Sequence, residues 1–246
     1  MRIDILTLFP QMFDGLLSCS IIGRAMEHGL VDIKLYDIRA CTHDKHHIVD
    51  DYPYGGGAGM VLKPEPIFEA VEGIKGELGL SSVSTVLLSP QGRLFNQEIA
   101  RELAGCQNLV LICGHYEGVD ERVAEHLVSD EISIGDYLLS GGEVAAMAVV
   151  DCVIRLLPGV LGSEASLVED SHIGGLLEYP QYTRPAVYRG WTVPEILLSG
   201  NHGDIARWRR QQSLLRTAKR RQDLMEKAVL SPEDKRLLSE AFEIKS

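Results

Sequence analysis

A chain of 246 residues, 45% hydrophobic and 24% charged, can bury a full core as one large domain or two, and its composition excludes a disordered or low-complexity polymer. No apolar run reaches membrane-spanning length, and the opening MRIDILTLFP lacks the charged-then-apolar order of a signal peptide, so no membrane partner is expected. The net charge of −11 argues against a polyanionic partner for the chain as a whole, but residues 201–230 carry eight Lys or Arg against three Asp or Glu, a surplus of five. That asymmetry is the footprint of a basic face on an acidic body.

In chain order, residues 1–9 read as a buried strand ended by Pro10, residues 11–28 as helix broken at Gly15 and Gly23, and residues 31–39 as a second strand. Residues 40–59 are irregular. Their His43, Asp44, His46, His47, Asp50 and Asp51 match no standard zinc spacing and read as a solvated polar loop, so no metal ligand is assigned. The following Gly55–Gly59 run has neither P-loop nor dinucleotide-fold spacing, and suits a surface where backbone approaches a flat ligand such as a base. Residues 64–73 read as helix with Pro64 in its first turn, 82–88 as strand, 97–104 as helix capped by Asn96, and 108–113 as a buried strand. The five cysteines (Cys19, Cys41, Cys106, Cys113 and Cys152) form no C-x-x-C pair and read as reduced thiols of a cytoplasmic protein, with Cys113 packed in an apolar run.

The segment 130–143, DEISIGDYLLSGGE, reads as short buried strand pieces around Ile132, Ile134, Leu138 and Leu139, bent at glycines, before a helix over 143–157. Three strands in succession thus end in polar, glycine-bearing loops: 89–93, 114–120 and 133–142. Apolar strands alternating with helices predict an α/β fold with a mostly parallel sheet covered on both faces, and such sheets bind ligands at the carboxyl ends of their strands. Residues 158–177 are small, polar and Gly-rich, which reads as a linker; the stretch from 204 is a helix with an apolar stripe of Ile205, Trp208, Leu214, Leu215, Ala218 and Leu224, and Pro232 opens a last short helix. The expected division is a cofactor-binding domain over 1–160, a flexible linker over 161–177, and a small basic helical domain over 178–246.

The motifs Pro53-Tyr54-Gly55-Gly56-Gly57, Leu88-Ser89-Pro90-Gln91-Gly92-Arg93, Cys113-Gly114-His115-Tyr116-Glu117-Gly118, Ser133-Ile134-Gly135-Asp136-Tyr137, Gly141-Gly142-Glu143 and Tyr182-Thr183-Arg184-Pro185 together resemble, in order and spacing, the bacterial tRNA (guanine-N1)-methyltransferases of the TrmD type. The resemblance implies a SPOUT-type α/β fold with a trefoil knot, S-adenosylmethionine as cofactor with Mg2+ as a candidate accessory ion, and a homodimer whose active site is shared between subunits. It implies methylation at N1 of the guanosine immediately 3′ of the tRNA anticodon, position 37.

Carried onto matching positions, the cofactor would lie against Leu88, Pro90, Gly114, Tyr116, Glu117, Ser133, Ile134, Gly135, Asp136, Tyr137, Leu138, Leu139, Gly141 and Gly142. Asp170 would be the general base that takes the N1 proton, serving a pocket on the other subunit, and Arg155 would place guanine and stabilise charge at O6. Gly57, Gly59, Arg184, Arg209, Arg210, Arg220 and Arg221 would face the tRNA. The chain departs from the family at Tyr52 and His115, where many members carry arginine, at Ala58 for proline and at Ile132 for tryptophan. Two other readings stay open. A different SPOUT RNA methyltransferase would keep activity without Asp170, and a non-catalytic tRNA-binding protein would bind with steep salt dependence and no turnover.

Overall fold

The computed structural model describes residues 1–161, 171–172 and 174–243. The chain forms two compact units, Met1–Gly162 and Ser163–Ser246.

In the first unit, β1 (Arg2–Thr7) is followed by helices α1 (Asp14–Ser18) and α2 (Ser20–Glu27), then β2 (Asp32–Asp37). A small antiparallel pair, β3 (Asp50–Asp51) with β4 (Val61–Leu62), precedes helix α3 (Pro64–Leu78). Next come β5 (Ser84–Leu94), α4 (Gln97–Ala104), β6 (Asn108–Cys113), α5 (Glu121–His126), β7 (Asp130–Ser133) and α6 (Glu143–Ile154). The five long strands form one sheet in the order β2-β1-β6-β5-β7, parallel at every pairing. That is the α/β architecture expected from the alternation of apolar strands with helices.

Strand alternation divides the core in two. Ile3, Ile5, Val86, Leu88, Leu109 and Leu111 face a cluster shared with Ala146, Val149, Val150 and Val153 of α6. Leu6, Leu87, Val110 and Ile112 point the other way, toward Ile67, Val71 and Ile74 of α3 and Val123 of α5. Both faces are therefore covered, which is why these strands read as unbroken apolar runs.

Where the strands begin, a polar network ties three elements together. The Arg2 guanidinium donates to Asp4 at 2.8 Å and to Glu77 at 3.0 Å, and Lys34 reaches Glu77 at 2.6 Å. Asp4 is fully buried, so its pairing with Arg2 is what makes a carboxylate tolerable there. Hydrogen bonds from Arg2, then from Lys34, hold the Glu77 carboxyl down to about 2.

Several local readings are revised. The break in the first helical segment falls at Cys19, which is extended (φ −124°, ψ 161°) and is followed by Ser20 at a φ of 58°, while Gly15 and Gly23 lie inside α1 and α2. Leu138 and Leu139 are 84% and 43% exposed, not buried strand pieces, because β7 ends at Ser133 and the chain leaves the sheet there. Strand β5 runs on through the stretch read as a loop: Leu88 and Arg93 both pair with Ile132, so residues 89–92 bulge out between them.

In the second unit, a hairpin β8 (Val187–Tyr188) and β9 (Trp191–Thr192) precedes α7 (His202–Arg220), α8 (Gln222–Lys227) and α9 (Pro232–Glu243). The single long helix read from residue 204 breaks at Arg221 (φ −142°). Asn201 caps α7 by accepting from the Gly203 and Asp204 amides. Leu176, inside the stretch read as linker, packs with Leu214 and Leu237. Beside it the Leu177 amide donates to Thr217 Oγ1 at 2.9 Å and the Ser213 hydroxyl donates to the Leu177 carbonyl, so these two buried hydroxyls on α7 clasp the incoming chain. At the start of α9, Ser231 and Asp234 cap each other reciprocally, and Asp234 also receives Arg210 at 2.7 Å.

Candidate active site

The bulge at residues 89–92 of β5 and the loops that follow β6 and β7 lie at one edge of the sheet and enclose one cavity of about 380 Å3. It is lined by every position named for the cofactor (Leu88, Pro90, Gly114, Tyr116, Glu117, Ser133, Ile134, Gly135, Tyr137, Leu138, Leu139, Gly141 and Gly142) except the exposed Asp136. Gln91, His115, Val119 and Ala145 line it too and were not among those candidates. For the apolar pair Val119 and Ala145, the signal was position alone: each lies within a few residues of a strand-end loop.

The loops approach one another at backbone distance. The Gly142 amide donates to the Gly114 carbonyl at 2.8 Å, and His115 and Gly141 pair as an antiparallel bridge. A Cβ at Gly142 would lie 2.7 Å from Cys113 Cα, closer than real Cβ atoms come to backbone, so only glycine fits.

A buried carboxylate fixes this junction. Glu143, 1% exposed at the start of α6, accepts from the Thr7 hydroxyl at 2.7 Å and lies 3.2 Å from His115 Nε2. Thr7 Oγ1 in turn accepts from the Phe9 amide at 2.9 Å. The end of β1, the loop after β6 and the start of α6 are thus joined through one side chain. The His115 ring stands 5.0 Å from Phe9 and 5.7 Å from Tyr116. Burial, and then the Glu143 charge, push the Cys113 thiol well up, which removes it as a nucleophile.

The glycine run joins the same region. The Glu117 amide donates to the Met60 carbonyl at 3.0 Å, and Leu62 and Gly118 share a hydrogen bond of the same length. A Cβ on Gly59 would overlap the Glu117 carboxyl at 2.3 Å, so this backbone lies directly against a cavity residue. Gly57 has a φ of 138° and is exposed nearby in sequence. Tyr116 holds a left-handed φ of 60°, a strained setting for a tyrosine, and its phenol is raised by burial and by the neighbouring Asp50 carboxylate. Of the departures from the family pattern, Tyr52 is 79% exposed and Ile132 is fully buried in the core.

Of the two catalytic candidates, only Arg155 is among the described residues, and it lies away from the cavity. Arg155 closes α6 at the end opposite the cavity, about 18 Å of helix rise away. Asp170 lies outside the described residues. Among the described residues no group of three or more His, Cys, Asp or Glu could hold a metal ion, and no helix is long and apolar enough to cross a membrane.

The basic positions of the second unit divide by partner. Arg210 pairs with Asp234, and Arg221 with Asp223 at 2.6 Å. The Arg209 guanidinium stacks 4.7 Å above the Tyr179 ring. Arg220 and Lys219 are exposed on the last turn of α7 and make no ion pair among the described residues. Arg184 lines a second cavity of about 380 Å3 together with Tyr182, Leu198 and Arg209.

A parallel α/β sheet whose strand-end loops converge on one glycine-lined cavity defines a ligand-binding α/β domain of the kind that binds at carboxyl strand ends. The match to known proteins is more specific. The chain belongs to the tRNA (Guanine-1)-methyltransferase TrmD family, whose model matches residues 1–227. Relatives named tRNA (guanine-N(1)-)-methyltransferase from Dehalococcoides mccartyi and Geobacillus kaustophilus are each 60% identical over 98% of this chain, covering 96% and 98% of their own lengths. One from Brevibacillus brevis is 59% identical, covering 98% of both chains.

Proposed function

We propose that this chain transfers a methyl group from S-adenosylmethionine to N1 of the guanosine immediately 3′ of a tRNA anticodon. The observation that carries the reading is the convergence of the β5 bulge and the loops after β6 and β7 on one cavity, in a chain that matches the family along nearly its whole length.

The cavity residues suit the cofactor. The volume is within the range of about 300–1,000 Å3 typical of small-molecule sites. Gly114, Gly141 and Gly142 offer main chain at close approach, while Leu88, Ile134 and Leu139 offer apolar walls for an adenine ring. When bound, the cofactor supplies an electrophilic methyl on a sulfonium. The chain's own part is to make guanine N1 a competent nucleophile. Asp170 accepts the N1 proton, because N1 attacks poorly until that proton leaves. Arg155 presents a guanidinium to O6, where negative charge gathers as the proton departs. Gly57 and Gly59 let backbone pass close to the base, and Arg184, Arg209, Arg210, Arg220 and Arg221 meet the RNA. The knotted threading of the family belongs to the same proposal.

The location of Arg155 supports a site shared between two copies of the chain. Helix α6 starts at the cavity and carries Arg155 away from it, so within one chain the two are separated. Leu138, Leu139 and Val144, exposed beside the cavity, give a second copy an apolar surface to cover. The test is Asp170→Ala: methyl transfer to tRNA falls below detection while calorimetric cofactor affinity stays near that of the wild type. Turnover close to wild type refutes the base assignment.

A further inference from the structure

Among the described residues of the second unit, the hairpin β8–β9 is the element that places large aromatic side chains on the surface. Tyr188 and Trp191 are directly opposed across the strands, which puts both rings on one face. Their centroids are 6.2 Å apart at 48°, and the Arg189 guanidinium stands 5.3 Å from the Tyr188 ring. Arg189 and Gly190 form the two-residue turn with φ of 51° and 83°, the tight geometry that matches strand twist and fixes the rings in place. Below the turn, the Val193 amide donates to the Ala186 carbonyl at 2.9 Å and closes the hairpin onto the second cavity, whose walls include both residues.

A cross-strand aromatic pair by itself stabilises a hairpin. That does not account for an indole left 70% exposed and a phenol left 55% exposed. The charge around them identifies the occupant. Residues 179–230 carry ten Lys or Arg against four Asp or Glu; Arg189 stands over the Tyr188 ring and Arg184 lines the second cavity at the foot of the hairpin, and neither makes an ion pair among the described residues. Rigid rings interleaved with guanidinium groups in a basic setting form the surface on which unpaired bases stack, because each base offers a π-face and the adjoining phosphate offers charge.

We propose that the Tyr188–Trp191 face is a stacking platform for an unpaired nucleobase of the RNA substrate, with Arg189 meeting the phosphate beside it. This rests on the reading of the chain as a tRNA methyltransferase and adds a contact that the family resemblance did not supply.

The two tryptophans of the chain are Trp191 and Trp208, so Trp208→Phe leaves Trp191 as the sole indole emitter. Titration of that variant with an unmodified tRNA transcript quenches its emission, saturating at the midpoint seen for RNA binding by gel retardation. As a check that does not depend on that variant, the same quenching is present in the wild-type chain and absent from Trp191→Phe. Tyr188→Ala raises the KM for tRNA about tenfold with kcat unchanged, and Tyr188→Phe restores it. Intact binding and methyl transfer with unquenched Trp191 overturns the platform and leaves the enzymatic reading standing. Absence of both binding and transfer overturns the two together. An emission change that follows protein concentration without RNA, with a matching rise in mass, assigns the face to a second copy and also overturns the platform.

Discussion

Glu143 shows how much of the site rests on one buried group. Its carboxylate is acceptor for Thr7 and neighbour of His115, and it sits where three chain segments meet at the cavity. Glu143→Ala strands the Thr7 hydroxyl in a buried setting and costs about 1–3 kcal/mol in urea denaturation, while Glu143→Gln, which keeps an acceptor oxygen, costs less. Gly142 is sensitive for a different reason. A methyl group there would meet the Cys113 backbone at 2.7 Å, and backbone cannot rotate aside as a side chain can. Gly142→Ala pushes the loops after β6 and β7 apart, so calorimetric affinity for S-adenosylmethionine falls by about a hundredfold, on the scale of an ångström-sized misplacement. Of these two residues the sequence made Gly142 legible through its motif. It hid the role of Glu143, because nothing local links that position to Thr7, which lies 136 residues earlier.

At the scale of elements, the polar knot of Arg2, Asp4, Lys34 and Glu77 joins β1, β2 and α3. Folding lowers the Glu77 carboxyl to about 2 from an ordinary value near 4.3. A depressed carboxylate contributes stability above its unfolded value and loses it as pH falls through the folded one. Wild-type stability therefore drops more steeply between pH 5 and pH 2.5 than that of Glu77→Gln, in denaturant melts at matched ionic strength. Parallel curves would remove Glu77 from the stabilising network. Asp234→Ala, which removes both half of a capping box and the partner of Arg210, costs about 1–2 kcal/mol. Elements with local signals are legible in the sequence to the residue: β6 is an apolar run after Asn108, and α4 starts after the Asn96 cap and ends at Ala104. Elements set by packing were not. Gly23 marks a close approach, since a Cβ there would come within 3.0 Å of the Ser18 carbonyl carbon, and not the helix break its residue type suggested. The hairpin β8–β9 escaped notice because Arg189 holds a left-handed φ that arginine seldom adopts.

For the whole molecule, the alternation of apolar strands and helices was enough to foresee a parallel sheet with polar, glycine-bearing segments at its carboxyl edge, and the structure has the sheet and a cavity among those segments. Strand order was not legible, since β1 pairs on one side with β2 and on the other with β6, whose partner residues lie 106 positions further along the chain (Arg2 with Asn108). The proposed catalytic pair rests only on resemblance to a family: Arg155 lies a helix length from the cavity, and Asp170 lies outside the described residues. The central claim is therefore tested most directly by chemistry. Labelled S-adenosylmethionine is offered with two unmodified tRNA transcripts that differ only in guanosine or adenosine immediately 3′ of the anticodon. The account predicts label in the guanosine transcript alone, recovered as N1-methylguanosine. Equal labelling of both transcripts, or label recovered on ribose or another base, would contradict it.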